Sequence, residues 1–199
     1  MQAKLFERAR EPAQLAALVC AALRGAGARE VLAGQGGAAM AERIGQLVDA
    51  LRRHEVRPHE LVGLGADAPA ALVEGVLAAW LAGATPCLGA QLPPLRLRLD
   101  GAALASGRAA PRCLAAALVL VEPLVGAIAH PLDTLGRACL PDAVLGAAGL
   151  AIVADWRADV WLPLVLQALE AGVERLALLP AAPGVAVAHG MALAAPLAW

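Results

Sequence analysis

The side chains here that could do acid–base or nucleophilic chemistry are few and widely scattered. His189 follows a strand-like apolar run, where a histidine can serve as a general base. No acidic neighbour in sequence orients its ring, and a structural histidine is the commoner case. Asp155 and Asp159 follow the apolar run Leu150 to Ala154, at a strand end of the kind where α/β folds hold metals and ligands. Helix capping explains both more simply. Glu122 and His130 are a second acid–base pairing, with nothing in the sequence to fix their geometry. Ser106, in "LASGRAA", lacks the GxSxG frame of an elbow nucleophile. Gly34, Gly36 and Gly37 invite a phosphate-loop reading, but no strand–GxGxxG–helix frame surrounds them, so a turn is expected. Arg96, Arg98, Arg108 and Arg112 fall in an irregular stretch after Pro94, as an anion site or, more plainly, a solvated basic face.

Composition narrows the chemistry further. The chain has one serine, two threonines (Thr85 and Thr134), no tyrosine and no asparagine. Hydroxyl and amide chemistry has almost no raw material. Cys20, Cys87, Cys113 and Cys139 are far apart in apolar surroundings, without a CxxC or Cys/His cluster; buried reduced thiols are expected, with no metal site. Trp80, Trp156, Trp161 and Trp199 read as core or interface anchors. A net charge of -1 and a pI near 6.4 leave no basic surface for nucleic acid.

The hydrophobic fraction of 60% and mean hydropathy of +0.66 raise the question of a membrane. A spanning helix needs about 20 consecutive apolar residues. The two longest uncharged runs, Gly75 to Leu95 and Leu176 to Trp199, are broken by prolines and rich in alanine. The N-terminus carries Lys4, Glu7, Arg8, Arg10 and Glu11 in place of an early apolar core. The expectation is a soluble cytoplasmic protein with no membrane segment.

Helices and strands must position whatever site exists. Leu15, Leu18, Val19 and Ala22 place a helix over Leu5 to Leu23. Ile44, Leu47, Val48 and Leu51, at i, i+3, i+4 and i+7, make the apolar face of a helix from Ala38 to His54. Arg57-Pro58 breaks it, and Leu61 to Gly65 follows as a strand. Asp67 stands at a cap position, Pro69 opens a helix running to about Leu81, and Gly83 stops it. Further strands are expected at Thr85 to Leu88, Leu114 to Val121, Leu150 to Ala154 and Leu176 to Leu179. A helix interrupted near Pro141 is expected over His130 to Ala148. Another, capped by Asp155 or Asp159, runs to Ala171, with Pro163 in its first turn if Asp159 is the cap and Gly172 at its end. This alternation predicts an α/β fold with a mostly parallel sheet covered on both sides, as a single domain over residues 1–199.

The segment "RIGQLVDALRRHEVRPHELVGLGADAPAALVEGVLAAWLAGATPCL" resembles the N-terminal part of the acyl-adenylate-forming enzymes, the AMP-dependent synthetases and ligases. These include acyl-CoA synthetases, fatty acyl-AMP ligases and adenylation domains of nonribosomal peptide synthetases. Val56, Pro58, Glu60, Val62, Ala82, Gly83 and Ala84 fall on the family's scaffold marks, while His59 replaces its usual glycine. "LFERAREPAQLAALVC" is similar to the family's opening helix. The match is weak from Pro94 to Asp155.

In that family a strand leads into a loop of the type TSGSTGxPKG, then VxxxH and a helix. The resemblance implies that Pro183, Gly184, Val185 and His189 stand in this phosphate-loop region. Pro180-Ala181-Ala182 replaces the glycine- and hydroxyl-rich run, and the lysine between proline and glycine is missing. The family loop works through backbone N–H groups, hydroxyls and a lysine around phosphate. The expectation is therefore a truncated, catalytically incompetent relative without cofactor, acting as a scaffold or partner in acyl or aminoacyl activation. The other readings are an active ligase completed by another chain, with ATP and magnesium; an unrelated small α/β enzyme; and a small-molecule-binding module. The uncharged run Leu176 to Trp199 implies a protein partner or a homo-oligomer, unless it folds back onto its own core.

Overall fold

A computed structural model describes residues 5–65, 68–89, 92–100, 103–122, 125–137, 140, 149–154, 158–180 and 194–196. The chain opens with α1 (Leu5–Arg8) and α2 (Pro12–Ala26), then β1 (Glu30–Leu32), β2 (Gln35–Gly36) and α3 (Gly37–Arg53). Next come β3 (Leu61–Gly65), α4 (Pro69–Leu81), β4 (Thr85–Gly89), β5 (Leu97–Asp100) and β6 (Ala103–Ser106). They are followed by β7 (Leu118–Glu122), β8 (Gly126–His130), α5 (Leu132–Leu135) and β9 (Leu150–Ala154). The described part ends with α6 (Ala158–Glu170), β10 (Leu176–Pro180) and β11 (Ala194–Pro196).

The strands form two sheets where the sequence led us to expect one. One has six strands in the order β6-β5-β3-β4-β7-β8; the other has five, in the order β11-β9-β10-β1-β2. Each has a parallel centre: β5, β3, β4 and β7 in the first, and β9, β10 and β1 in the second. Each is closed at both edges by antiparallel strands, β6 and β8 or β11 and β2. The architecture is α/β with mixed, mostly parallel sheets. In the five-stranded sheet, Leu32 of β1 pairs with Leu176 of β10, so most of the chain lies between partner strands.

The helices form a layer that reaches both sheets. α3 turns Met40, Ile44, Leu47, Val48 and Leu51 inward, as its periodicity requires, and packs on both α2 and α4. α4 is apolar but for Glu74, which is buried and paired with Arg43 of α3 at 2.7 Å. Val73, Val76, Leu77 and Trp80 are all buried, and the helix lies on β3 and β4. α6 touches β9 and β10 and also β7 of the other sheet. One continuous apolar core runs from Leu5 to Leu176 through this layer.

Several boundaries differ from the sequence reading, each for a local reason. The helix expected over Leu5 to Leu23 is broken, because Pro12 starts α2 as an N-terminal residue and Glu11 is its cap. α4 begins at Pro69 with Ala68 at the cap position and no side-chain cap; Asp67 lies outside the described residues. α6 begins at Ala158, so Asp159 sits in its first turn and is not the cap. Pro163 then stands beyond that turn, inside the helix. β7 starts at Leu118, because residues 114 and 115 form a turn. The "irregular" stretch after Pro94 is the hairpin β5–β6. His130 ends a strand where a helix was expected to begin; the described residues there include the short α5, and residues 141–148 of the expected helix lie outside the described residues. Gly83 and Gly172 end α4 and α6 with φ of 77° and 75°, left-handed values that favour glycine.

Candidate functional site

The loop after β10 is where the sequence places phosphate chemistry. Leu176 to Pro180 is a central strand, paired residue for residue with Leu150 to Ala154 and ending at Pro180 opposite Ala154. The carboxyl ends of parallel strands are where open α/β sheets hold ligands. Pro183, Gly184, Val185 and His189 follow that end directly in sequence and lie outside the described residues, as do Asp155, Trp156, Cys139 and Trp199. The donor set is read from the sequence alone. Pro180 and Pro183 have no N–H, and no lysine, arginine, serine or threonine occurs from Leu176 to Trp199. Such a set supplies no side-chain cation and no hydroxyl for a phosphate.

Of the other candidates, the structure separates Glu122 from His130. In the β7–β8 ladder Glu122 faces Gly126, while His130 faces Leu118 at the far end. His130 instead meets Asp159: its Nδ1 lies 3.9 Å from Asp159 Oδ2, and both side chains are nearly buried. Its Nε2 is buried without a hydrogen-bond partner among the described residues. The spacing from β8 to α6 gave no signal for this meeting, since the strand was unrecognised.

Two of the four arginines pair with carboxylates. Arg98 pairs with Asp100 on its own strand, with Nε 3.0 Å from Oδ1. Arg96 does something the sequence reading missed. Its Nε and Nη2 donate to the two carboxylate oxygens of Glu60 at 2.7 and 2.8 Å. Nη1 and Nη2 also donate to the carbonyls of His54 and Glu55, at the end of α3. Glu60 is fully buried, and the Arg57 N–H donates to it as well at 2.9 Å. Burial pushes the Glu60 carboxyl up, but the hydrogen bonds from Arg96 and from the Arg57 N–H outweigh that and hold it below the ordinary range. This bidentate pair ties α3, β3 and β5 together. It is architecture, and a glutamate directly before a buried strand was its one sequence signal.

Cys20 and Cys87 are buried, as expected, while Cys113 is only half-buried. Cys20, Cys87 and Cys113 are free thiols. Burial, helped by the nearby Cys113, pushes the Cys87 thiol up to about 11, which makes it a poor nucleophile. No group of three or more His, Cys, Asp or Glu that would suit a metal occurs among the described residues. No described helix is long and apolar enough to cross a membrane.

With this geometry in hand, the molecule can be set beside known proteins. No family model matches the sequence, and no curated protein does. Solved structures do match. NpsA-ThdA from Klebsiella oxytoca, an artificially fused adenylation–PCP di-domain, superposes with a TM-score of 0.59 at 15% identity over 83% of this chain and 39% of that one. The fold is that of the N-terminal portion of adenylate-forming enzymes. The amide bond synthetase McbA from Marinactinospora thermotolerans gives a TM-score of 0.58 at 15% identity, over 84% of this chain and 44% of its own. O-succinylbenzoate coenzyme A synthetase (MenE) from Bacillus subtilis, in complex with ATP and magnesium ion, gives 0.56 at 11%, over 81% and 56%. This chain thus spans about two-fifths to somewhat over half of each of these three adenylate-forming proteins.

Proposed function

We propose that this chain is a relative of the AMP-dependent synthetases and ligases that does not itself form adenylates, and that it acts as a scaffold or partner in acyl or aminoacyl activation. One observation carries the reading. The chain has the adenylate-forming fold up to β10, yet the residues that follow supply no lysine and no hydroxyl. Phosphate loops stabilise triphosphate charge with clustered N–H donors, hydroxyls and a cation. Pro180, Ala181, Ala182 and Pro183 offer two N–H groups and nothing else.

A second reading is an active ligase completed by another chain, which the fold shared with adenylate-forming enzymes supports. Two measurements on the purified protein separate the readings. Under the first, ATP–pyrophosphate exchange stays at background with every acyl or amino acid offered, and ATP–magnesium shows no saturable binding. Exchange or saturable binding that is lost on substituting Gly184 overturns the first reading in favour of the second.

A further inference from the structure

A concavity lies at the amino ends of β4 and β7. It encloses about 400 Å³ and is half open to solvent, a size within the usual range for small-molecule sites. Trp80 forms part of its wall, with the indole N–H already committed to the Ala117 carbonyl at 2.7 Å. Ala115, Ala116, Ala117 and Leu132 extend the apolar lining. Leu114, also in the lining, is 75% exposed, apolar area that a ligand could remove from water. His59 also lines the pocket in a left-handed backbone conformation, φ 60°. Hydrogen bonds on both sides hold it there: its N–H donates to Gly83 and its carbonyl accepts from Cys113. A residue other than glycine kept in that region is a recognised mark of a site.

The charges decide what such a site would take. No lysine or arginine is among the described residues that line it, and Glu11 is the one acidic side chain. Two helix ends also meet here, the start of α2 at Pro12 and Ala13 and the end of α4 at Gly83 and Ala84. Their partial charges, roughly +0.5 and -0.5, cancel and leave the Glu11 carboxylate as the net field. The geometry points to a binding site for a small apolar amine, with its hydrocarbon body against Trp80, Leu114 and Leu132 and its ammonium toward Glu11. A carboxylate of the same shape is disfavoured, in contrast to the acyl and aminoacyl substrates of the proposal above. The two proposals stand or fall separately.

The test uses phenethylamine, phenethyl alcohol and 3-phenylpropanoate as probes of matched shape. Binding is followed at the Trp80 indole N–H resonance, assigned by its loss in Trp80→Phe. We expect saturable shifts in the order amine, alcohol, carboxylate, with the amine roughly tenfold tighter than the carboxylate. Glu11→Gln should weaken the amine about two- to fivefold and leave the alcohol unchanged, the effect of one exposed charge. Leu114→Ala, at an exposed position that leaves the fold intact, should weaken all three. Absence of saturable binding at millimolar amine, equal binding of amine and carboxylate, or an unchanged amine affinity in Glu11→Gln would each overturn the proposal.

Discussion

The six-stranded and five-stranded sheets follow one plan, a parallel centre with antiparallel edges, yet different forces hold them. In the six-stranded sheet, buried polar groups fasten the strands. The Glu60–Arg96 pair joins β3 and β5 to the end of α3, Trp80 bonds the residue before β7, and Thr85 at the start of β4 is buried against the carbonyls of Cys113 and Ala116. In the five-stranded sheet, an ion pair near the strands, Arg29–Glu174, is half exposed on both sides. The Gln167 side chain, buried in α6, accepts from the Leu140 N–H and so holds a connecting segment, not a strand. Packing of Leu32, Leu150, Ile152 and Leu176 does the rest. Buried polar groups that are fully satisfied specify one arrangement more sharply than apolar packing does. Among the described residues, satisfied buried polar groups that join strands are concentrated in the six-stranded sheet.

The largest test of that contrast is Arg96→Ala. It leaves Glu60 buried without its cation, at a cost of about 3–5 kcal/mol, read as a drop in the urea midpoint. The pH profile should change with it. The Glu60 carboxyl is held below its ordinary value, so the native protein gains stability that is complete above the unfolded carboxylate range, about pH 4.3. That stability is lost as pH falls through the lower folded value. Unfolding midpoints measured from pH 7 down to pH 3 should fall steeply in the native protein and more gently in Glu60→Gln. Trp80→Phe comes next. It leaves the buried Ala117 carbonyl without its donor, for about 1–3 kcal/mol, again read from the midpoint. Glu174→Ala should be the smallest, within about 1 kcal/mol, since exposed pairs contribute little. If Glu174→Ala cost as much as Arg96→Ala, the difference between the sheets would be refuted.

Much of the scaffold was legible because long apolar runs and proline or glycine stops coincide. β3 and the end of α4 lie where Leu61 to Gly65 and Gly83 placed them, and β9 matches Leu150 to Ala154. What escaped is short and lies at an edge. Gly126 to His130 has little strand propensity of its own; it is a strand because β7 pairs with it. Leu97, Arg98, Leu99 and Asp100 do alternate buried and exposed, a period-two signal that the arginine cluster obscured. The division into two sheets could not be read from one-dimensional alternation, since β1 and β10 find each other only in space. The candidate phosphate-loop residues were placed by resemblance, and their neighbourhood in three dimensions lies outside the described residues. The Glu60–Arg96 pair and the cavity beside Trp80 combine residues too far apart in sequence for spacing to reveal.

The pairing of Leu32 with Leu176 also has a consequence in time. A ribosome adds about 5–20 residues per second, so β1 and its β2 hairpin are exposed for on the order of ten seconds before β10 exists to receive them. The β3–β4 pair, by contrast, needs only one helix between its strands and completes while synthesis continues. The nascent molecule therefore assembles its six-stranded sheet around a waiting, half-paired β1–β2 ribbon. During that interval the inner edge of β1, later sealed by β10, is the part of the chain most open to mispairing and to chaperone capture.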